Sequence, residues 1–528
     1  MMTIPSRRTL LKAGGTGLAT LMAPQLGRAQ SGKTIRAVMH APLRAADPIV
    51  SSAWTARNHG LNVYDTLLAT DSKFQIQPQM AEGYEVSGDG LVYTFHLRSG
   101  LAFHDGAPVT SADAIASLKR WGQRDTMGAR LLTYVAEFRA VDRRSFQIVL
   151  KSPYGQLLAT LAKPASLFPF IMPERHAAQS AAQPLTEFVG SGPFRFLSNE
   201  FQPGNRAVYE RNPNYVPRSE PADGFAGGKV VKVDRYEWIS MPDFQTAANA
   251  LVRGEIDVVE ALPHDLIPTV RRDANIVVAD YDLLGATSIC RMNWLTEPFN
   301  KREIRQAVLY ASDQVDWLEA QVGNSEYYHP STAMFGRGTP LESQVGWDGK
   351  PDLAKARELL KKGGYNGAPV VILQGTDSPI LYGPSAVTAQ KLRAIGMTVQ
   401  VLSMDWGSVL ARRAKMDPAT RGGWSLYHYT TGTVDLVNPL GNPMIDARGK
   451  EAGIGWPDDA EIEAMRDKFA LEQRPEAQKA IAEAIQARAY EVVTHVPGGV
   501  LSMPMAHSNK LTGFLKASAP IFWNVDKA

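Results

Sequence analysis

The sequence predicts an α/β fold, because short apolar strands alternate with amphipathic helices and a helix twice passes directly into a strand. In both of these units a glycine follows the last helical turn, where it supplies the left-handed backbone conformation that ends a helix. A run rich in β-branched residues comes next and suits a buried strand. Repeated units of this kind are typical of α/β domains. The two units are helix 244–253 with Gly254 and strand 255–259, and helix 386–395 with Gly396 and strand 397–402.

The period of the apolar residues predicts the other elements. Thr110 and Asp113 have the spacing of a capping box, which predicts a helix through Ile115, Leu118 and Trp121. The last third of the chain is mostly helical, and its tail becomes extended again. The predicted strands are 33–39, 93–97, 145–150 and 500–503, and the predicted late helices are 352–362, 459–471 and 475–493.

The N-terminus has the parts of an export signal in the expected order. Arg7 and Arg8 precede a short apolar stretch over 13–23 that several glycines dilute. Gly27 and Ala29 place small residues at the positions that a signal peptidase reads. We therefore predict a twin-arginine signal peptide over residues 1–29, with cleavage after Ala29.

Charge and composition exclude two classes of protein. The 528 residues carry 56 basic and 53 acidic side chains, and four of the basic ones lie in the predicted signal peptide, so the rest is nearly neutral. Such a chain lacks the concentrated basic charge of a nucleic-acid-binding protein. Beyond the N-terminus no apolar run approaches the roughly 20 residues that span a bilayer. The single cysteine, Cys290, lies in a strand-like stretch and is predicted to be a buried structural thiol.

A set of short segments, in order along most of the chain, carries a family resemblance. Together they resemble the extracytoplasmic solute-binding proteins of the oligopeptide, dipeptide and nickel family, also called family 5. Members of this family serve ABC importers. The segments are 62–68, 78–84 with 89–95, 97–110, 190–194, 211–215 and 304–313.

The resemblance implies a two-lobed periplasmic-binding-protein fold, in which a hinge closes the lobes on a ligand. It also implies a periplasmic, monomeric receptor that delivers a peptide-like or other small organic solute to the permease subunits. Opine-like solutes and chelated metals stay open as alternatives. Lobe I would span 30–285 with an inserted subdomain over about 60–185, lobe II would span 286–499, and residues 500–528 would return to lobe I.

Two tryptophans are predicted to contact the ligand. Trp54 lies in the loop after the first strand, where family members touch their ligands. Peptide-binding members also present an aspartate shortly after a lobe II tryptophan, and it pairs with the ammonium of the peptide. Trp424 matches that tryptophan, but Asp435 is the first carboxylate to follow it. Because burying an unpaired ammonium is costly, this departure argues against a peptide with a free N-terminus.

Aromatic residues follow Trp424 closely, at Tyr427, His428 and Tyr429. Their density favours a planar, apolar or cationic ligand, although the same side chains could fill the lobe core. Arg291, near the presumed crossing between the lobes, is a further predicted contact, and Asn293 and Trp294 beside it are weaker ones.

The sequence predicts a binding protein and no enzyme. It lacks the nucleophile, zinc, phosphate-loop and dinucleotide motifs of the common enzyme classes, and its histidines have no metal-ligand spacing. No cofactor, metal site or catalytic residue is predicted. Two alternatives stay open: a secreted hydrolase that is exported folded, and a sensory binding protein coupled to a chemoreceptor.

Overall fold

A computed structural model describes residues 33–377 and 379–528 of the chain. The predicted signal peptide, residues 1–29, lies outside the described residues. Two large sheets with helices packed against them account for most of the described chain, and a smaller sheet is inserted in the first half. The predicted α/β class is therefore confirmed.

The first large sheet is mixed. Its strands are β1 (Thr34–Val38), β10 (Phe194–Phe196), β11 (Arg206–Arg211), β12 (Arg235–Ile239), β13 (Val258–Val259), β14 (Ile276–Ala279) and β21 (Met505–Ser508). In space their order is β10, β11, β12, β1, β13, β21, β14. The first strand runs parallel to both of its neighbours, and β21 pairs antiparallel between β13 and β14. A strand from the end of the chain thus completes a sheet that the first strand begins.

The strands of the second large sheet are β15 (Ala286–Met292), β16 (Tyr328–His329), β17 (Val370–Gly375), β18 (Val399–Met404), β19 (Leu426–Gly432) and β20 (Val496–Leu501). In space their order is β16, β20, β15, β19, β17, β18. All seven residues of β15 and all six of β17 are buried, because helices and loops cover both faces of this sheet. Cys290 is buried within β15, as predicted.

The insertion in the first half contains β2 (Asp65–Thr66), β3 (Leu68–Thr70), β4 (Ile76–Pro78), β5 (Ala81–Val86), β6 (Val92–Leu97), β7 (Val135–Ala140), β8 (Ser145–Leu150) and β9 (Phe170–Ile171). Four of these strands form an antiparallel sheet in the order β5, β6, β8, β7. The short strands β22 (Leu511–Thr512) and β23 (Asp526–Lys527) pair near the C-terminus.

Most helices begin and end close to the predicted residues, but the helix predicted over 386–395 begins earlier, at Pro379. Thr110 and Asp113 form the predicted capping box of the helix Ser111–Gly122, and the left-handed Gly254 and Gly396 follow the helices that end at Val252 and Ala394. The helices are α1 (Trp54–Val63), α2 (Ser111–Gly122), α3 (Thr126–Tyr134), α4 (Leu157–Leu161), α5 (Glu174–Ala177), α6 (Phe244–Val252), α7 (Ile267–Val270), α8 (Arg302–Ala311), α9 (Gln314–Val322), α10 (Leu353–Lys362), α11 (Pro379–Ala394), α12 (Trp406–Arg413), α13 (Ala460–Leu471) and α14 (Pro475–Val492).

The chain passes between the two large sheets at residues 280–285, and again at residues 502–504. The sequence predicts the return to lobe I from residue 500, but Val500 and Leu501 still pair with β15 in the second sheet. Pairing in the first sheet begins at Met505. The two passages are joined, since the Ser502 hydroxyl donates to a carboxylate oxygen of Asp280.

The insertion also touches the second lobe, away from these passages. The backbone N–H of Gly155 donates to the carbonyl oxygen of Ala470 at 2.9 Å. A Cβ atom at Gly155 would lie 2.2 Å from the carbonyl oxygen of Glu472, so this approach requires glycine. Asn438 donates to the side chain of Gln156 at 3.2 Å nearby. The two lobes are therefore in contact through the insertion as well as through the two passages.

Candidate functional site

A small cavity lies at the edge of the first lobe, beside both passages of the chain. Its volume is about 130 Å³. The first lobe supplies its wall through α1, the segments that follow β1 and β13, and part of the C-terminal tail, and the two passages supply the rest. The ionisable residues on its wall are His40, Arg57, Glu260 and Asp282, and the aromatic ones are Trp54 and Tyr281. The cavity thus presents charges of both signs beside an indole ring.

Trp54 lies at the start of α1 and reaches across to the second lobe. Its indole Nε1 donates to Oδ2 of Asp435 at 3.4 Å. A Cβ atom at Gly432 would lie 3.1 Å from Cζ2 of Trp54, so a residue with a side chain would crowd the ring. Trp54 and Asp435, two of the residues that the sequence predicts as ligand contacts, therefore meet at the boundary between the lobes.

Asp435 is held by groups of the first lobe and its insertion. Besides Trp54, the backbone N–H of Ser166 donates to its Oδ1 at 3.3 Å. Burial raises the pKa of Asp435, and the positive charges of Arg57 and Lys163 oppose that shift. Both carboxylate oxygens thus bridge the lobes in this conformation, and a ligand contact by Asp435 stays a prediction.

Glu260 sets the position of His40 in the cavity wall. One of its oxygens accepts hydrogen bonds from the backbone N–H and from Nδ1 of His40, both at 2.8 Å. Its other oxygen accepts from Asn58 at 3.2 Å. Burial raises the pKa of Glu260, but the charge and hydrogen bonds of His40 outweigh it, so the pKa lies below its ordinary value. His40 in turn meets the edge of the Trp54 ring, with 5.8 Å between ring centroids.

Arg57 follows Trp54 by three residues in α1, so both side chains project on one face of the helix. Its guanidinium carbon lies 5.6 Å from the centroid of the Trp54 ring. Burial lowers the pKa of Arg57, and three nearby carboxylates oppose that shift: Asp435, Asp282 and Glu260. The arginine is thus placed in a field of negative charge.

Asp282 lies in the first passage between the lobes. Burial raises the pKa of Asp282 to about 6, although hydrogen bonds from the backbone N–H groups of Leu284 and Gly285 and the charge of Arg57 act against that shift. The N–H of Leu284 donates at 2.9 Å. This carboxyl group therefore changes charge in the mildly acidic range.

Trp424 and Tyr427 lie inside the second lobe. Trp424 has no exposed surface, and its Nε1 donates to the carbonyl oxygen of Lys415 at 3.2 Å. Tyr427 is also buried, and its hydroxyl accepts from Nη1 of Arg413 at 3.0 Å. The buried neighbours of the two rings are Val371, Leu373, Val409 and Trp456. A ligand contact by either residue stays a prediction, and it requires this cluster to open.

His428 projects from the opposite face of β19, because side chains alternate along a strand. Its Nε2 lies 2.8 Å from the Thr388 hydroxyl, and its ring meets the edge of Trp317. Burial lowers the pKa of His428 to about 3. The histidine and Tyr427 are thus separated by the sheet, and the structure does not bring them together.

Arg291 ties β15 to the loops that cover the second sheet. Its Nε donates to the carbonyl oxygen of Ile454 at 2.8 Å, and its Nη1 donates to those of Met444 and Thr494 at 2.8 and 3.0 Å. The side chain is 1% exposed. These backbone contacts assign Arg291 a structural position, and its ligand contact stays a prediction.

The two weaker predicted residues also have partners inside the second lobe. Asn293 donates to the carbonyl oxygen of Trp424 at 3.2 Å. Trp294 lies under the guanidinium of Arg305, whose carbon is 3.4 Å from the ring centroid. Neither residue lines the cavity.

Sequence analysis did not single out His40, Arg57, Glu260 or Asp282. For Arg57 a signal exists, since it lies three positions after Trp54 in a helical stretch. His40, Glu260 and Asp282 come from separate segments that meet only in the folded chain, so no local spacing marks them.

Within residues 33–377 and 379–528, no group of three or more His, Cys, Asp or Glu side chains is arranged to hold a metal ion. In the same part of the chain, no helix is both long and apolar enough to cross a membrane.

Comparison with known proteins identifies relatives along the whole chain. The family model described as "Bacterial extracellular solute-binding proteins, family 5 Middle" matches residues 75–439. A protein named "Probable peptide ABC transporter periplasmic-binding protein y4tO", from Sinorhizobium fredii (strain NBRC 101917 / NGR234), is 40% identical over 537 residues, which cover 100% of both chains. The glutathione-binding protein GsiB of Escherichia coli O6:K15:H31 is 26% identical, with 96% of each chain covered.

A solved structure has the same two-lobed fold. The periplasmic binding protein DppA of Helicobacter pylori, in complex with the peptide STSA, superposes with a TM-score of 0.76 at 20% identity, covering 94% of this chain and 98% of that one. The fold class predicted from the sequence is thus confirmed in its two-lobed form. The chain belongs to the bacterial extracellular solute-binding proteins of family 5.

Proposed function

We propose that this protein is the extracytoplasmic receptor of an ABC importer and that it captures a peptide-like solute between its lobes. The observation that carries the proposal is the cavity at the edge of the first lobe, whose wall holds Arg57, Glu260 and Asp282 together with the indole ring of Trp54. A peptide-like solute carries both an ammonium and a carboxylate, so it matches a wall with charges of both signs. Closure on a solute requires contacts from both lobes, and Trp54 and Asp435 meet there.

The relatives support the same class of solute. The Sinorhizobium relative is named as a probable peptide transporter component, and the Escherichia coli relative as a glutathione-binding protein. Membership in a family of binding proteins favours a receptor over the secreted hydrolase, and the name of the Sinorhizobium relative, an ABC transporter component, favours transport over a sensory role. We further propose that the receptor acts in the periplasm as a monomer and hands its solute to permease subunits.

We assign the ligand contacts to Trp54 and Asp435 first. Trp424, Tyr427, His428 and Arg291 are kept as second-lobe contacts only for a conformation in which that lobe rearranges, since all four are buried.

The test is a thermal-shift and calorimetric screen of the mature protein. We expect a peptide-like compound to bind one to one, and to stabilise the protein by about 2.7 kcal/mol when present at 100 times its Kd. The compound should be recovered unchanged, because the proposal includes no catalysis. Stabilisation by opines or nickel chelates alone, with none by short peptides or glutathione, would contradict the assigned class of solute.

Export by the twin-arginine route is also proposed, from Arg7 and Arg8 ahead of a weakly apolar stretch. Replacing both arginines by lysine keeps the charge, so we expect the precursor to accumulate in the cytoplasm while the amount synthesised stays the same. Cell fractionation followed by immunoblotting measures this. A single Lys12→Gln variant, which leaves the arginine pair intact, is the control. Undiminished periplasmic protein from the double variant would show that another route carries the chain.

A further inference from the structure

Arg57 has a different set of partners from other deeply buried cations of the chain. Arg120, Lys163 and Lys229 form ion pairs with Asp47, Asp125 and Asp65, whereas Arg291 and Arg305 donate to backbone carbonyl oxygens. Arg57 is just as enclosed, with 6% of its surface exposed. Among residues 33–377 and 379–528, no carboxylate forms an ion pair with it. Its terminal nitrogens keep exposed surface at the cavity wall, where a partner from outside the chain can reach them.

The geometry leaves the outer part of the guanidinium available. Its Nε donates to Oδ1 of Asn58 at 3.1 Å, which fixes the plane of the group. The Trp54 ring supports it from one side. In the described part of the chain, neither of its terminal nitrogens has a hydrogen-bond acceptor. A guanidinium held in this way presents two parallel N–H donors, the arrangement that binds a carboxylate with two hydrogen bonds.

The nearby carboxylates are already in use, with one exception. Glu260 accepts from His40 and Asn58, and Asp435 accepts from Trp54 and Ser166. Asp282 accepts only from backbone N–H groups. It therefore keeps the capacity to accept hydrogen bonds from a cation that enters the cavity.

The cavity limits the size of the group it can hold. Its volume of about 130 Å³ is well below the 300–1,000 Å³ of sites that enclose a whole drug-sized ligand. It equals the liquid volume of about four water molecules. A carbon that carries an ammonium and a carboxylate fits this space, whereas an entire peptide does not.

We propose that Arg57 and Asp282 form a subsite for a zwitterionic amino-acid head group, in which one carbon carries both the ammonium and the carboxylate. The carboxylate binds the two terminal nitrogens of Arg57, and the ammonium donates to Asp282. This inference rests on the proposed function and narrows its solute. The first residue of an ordinary α-linked peptide has an ammonium but no carboxylate on the same carbon, whereas a γ-glutamyl peptide presents both.

Two isomeric tripeptides test the subsite by calorimetric titration under reducing conditions. Glutathione, γ-Glu-Cys-Gly, has the head group, and α-linked Glu-Cys-Gly has the same composition and net charge without it. We expect glutathione to bind about 10- to 150-fold more tightly, the range for hydrogen bonds to charged groups. Arg57→Gln should lower the affinity for glutathione to that for its isomer, and it should leave the affinity for the isomer unchanged. Arg57→Lys, which keeps the charge without the paired donors, should fall between them.

Arg124→Gln is the matched control, because this arginine is exposed and lies off the cavity. It should leave both affinities unchanged. Equal binding of the two isomers by the unmodified protein would overturn the head-group subsite while leaving the proposed function in place. This comparison does not depend on the folding of any variant. Failure of both isomers to bind would overturn the peptide-like solute and the subsite together.

Discussion

Trp424→Ala should lower the free energy of unfolding by about 3–5 kcal/mol, the range for removing a large side chain from a packed core. The side chain has no exposed surface, and Tyr427 and Trp456 pack against its ring with centroids 5.2 and 5.9 Å away. Its deletion leaves a cavity that the surrounding strands cannot fill. The measurement is equilibrium unfolding in urea, with calorimetric titration of the folded variant.

Trp54→Ala is the matched control for this variant. Trp54 is partly exposed and lines the cavity, so its removal should cost roughly 5- to 150-fold in affinity and little stability. The opposite pattern, with a stable Trp424→Ala protein that no longer binds, would mean that the second-lobe cluster opens to contact the solute.

Asp282→Asn should stabilise the ligand-free protein at neutral pH by up to about 3 kcal/mol. Burial raises the pKa of Asp282 to about 6, against about 3.9 in the unfolded chain. Folding therefore favours the protonated form, and the stability from this group is fully present below pH 4 and lost as the pH rises through 6. Asparagine keeps an oxygen for the N–H of Leu284 and carries no charge to bury.

The difference between Asp282→Asn and the unmodified protein should vanish near pH 4 and reach its maximum above pH 7. Urea unfolding at a series of pH values measures it, and Asp348→Asn, an exposed charge deletion, controls for the change in net charge. A constant difference across this range would falsify the assigned pKa. Ionisation of Asp282 should favour binding although it lowers stability, because the ammonium of the solute pairs with the ionised carboxylate. The affinity for the solute should therefore fall about tenfold between pH 7 and pH 5.

Much of the fold follows from local patterns in the sequence, because capping and glycine signals act over a few residues. Helix 475–493 was predicted to within one residue of α14, and strand 145–150 matches β8. Strand 255–259 is shorter than predicted, since only Val258 and Val259 pair with neighbours. Periodicity predicts which residues suit a strand, while the length of the partner strands decides how many of them pair.

The site was harder to predict, for a reason visible in β19. Trp424, Tyr427 and His428 lie close in sequence, but strand alternation sends His428 to the face opposite Tyr427. That separation could have been expected from the two-residue period of side chains along a β-strand. Whether the face that holds Tyr427 opens to the cleft or is covered depends on α12 and on Trp456, which pack there from distant parts of the chain.

The position of β21 has a consequence for when this protein can fold during its synthesis. Residues 505–508 fill the gap between β13 and β14, so those two strands have no direct pairing with each other. A nascent chain that has not yet reached residues 505–508 lacks this filler, so its first sheet is incomplete although β1, β13 and β14 have already been synthesised. Domains generally fold in N-to-C order during synthesis, but this sheet waits for a strand that lies far downstream. Translation of residues 505–508 therefore sets the earliest moment at which the first lobe can be completed.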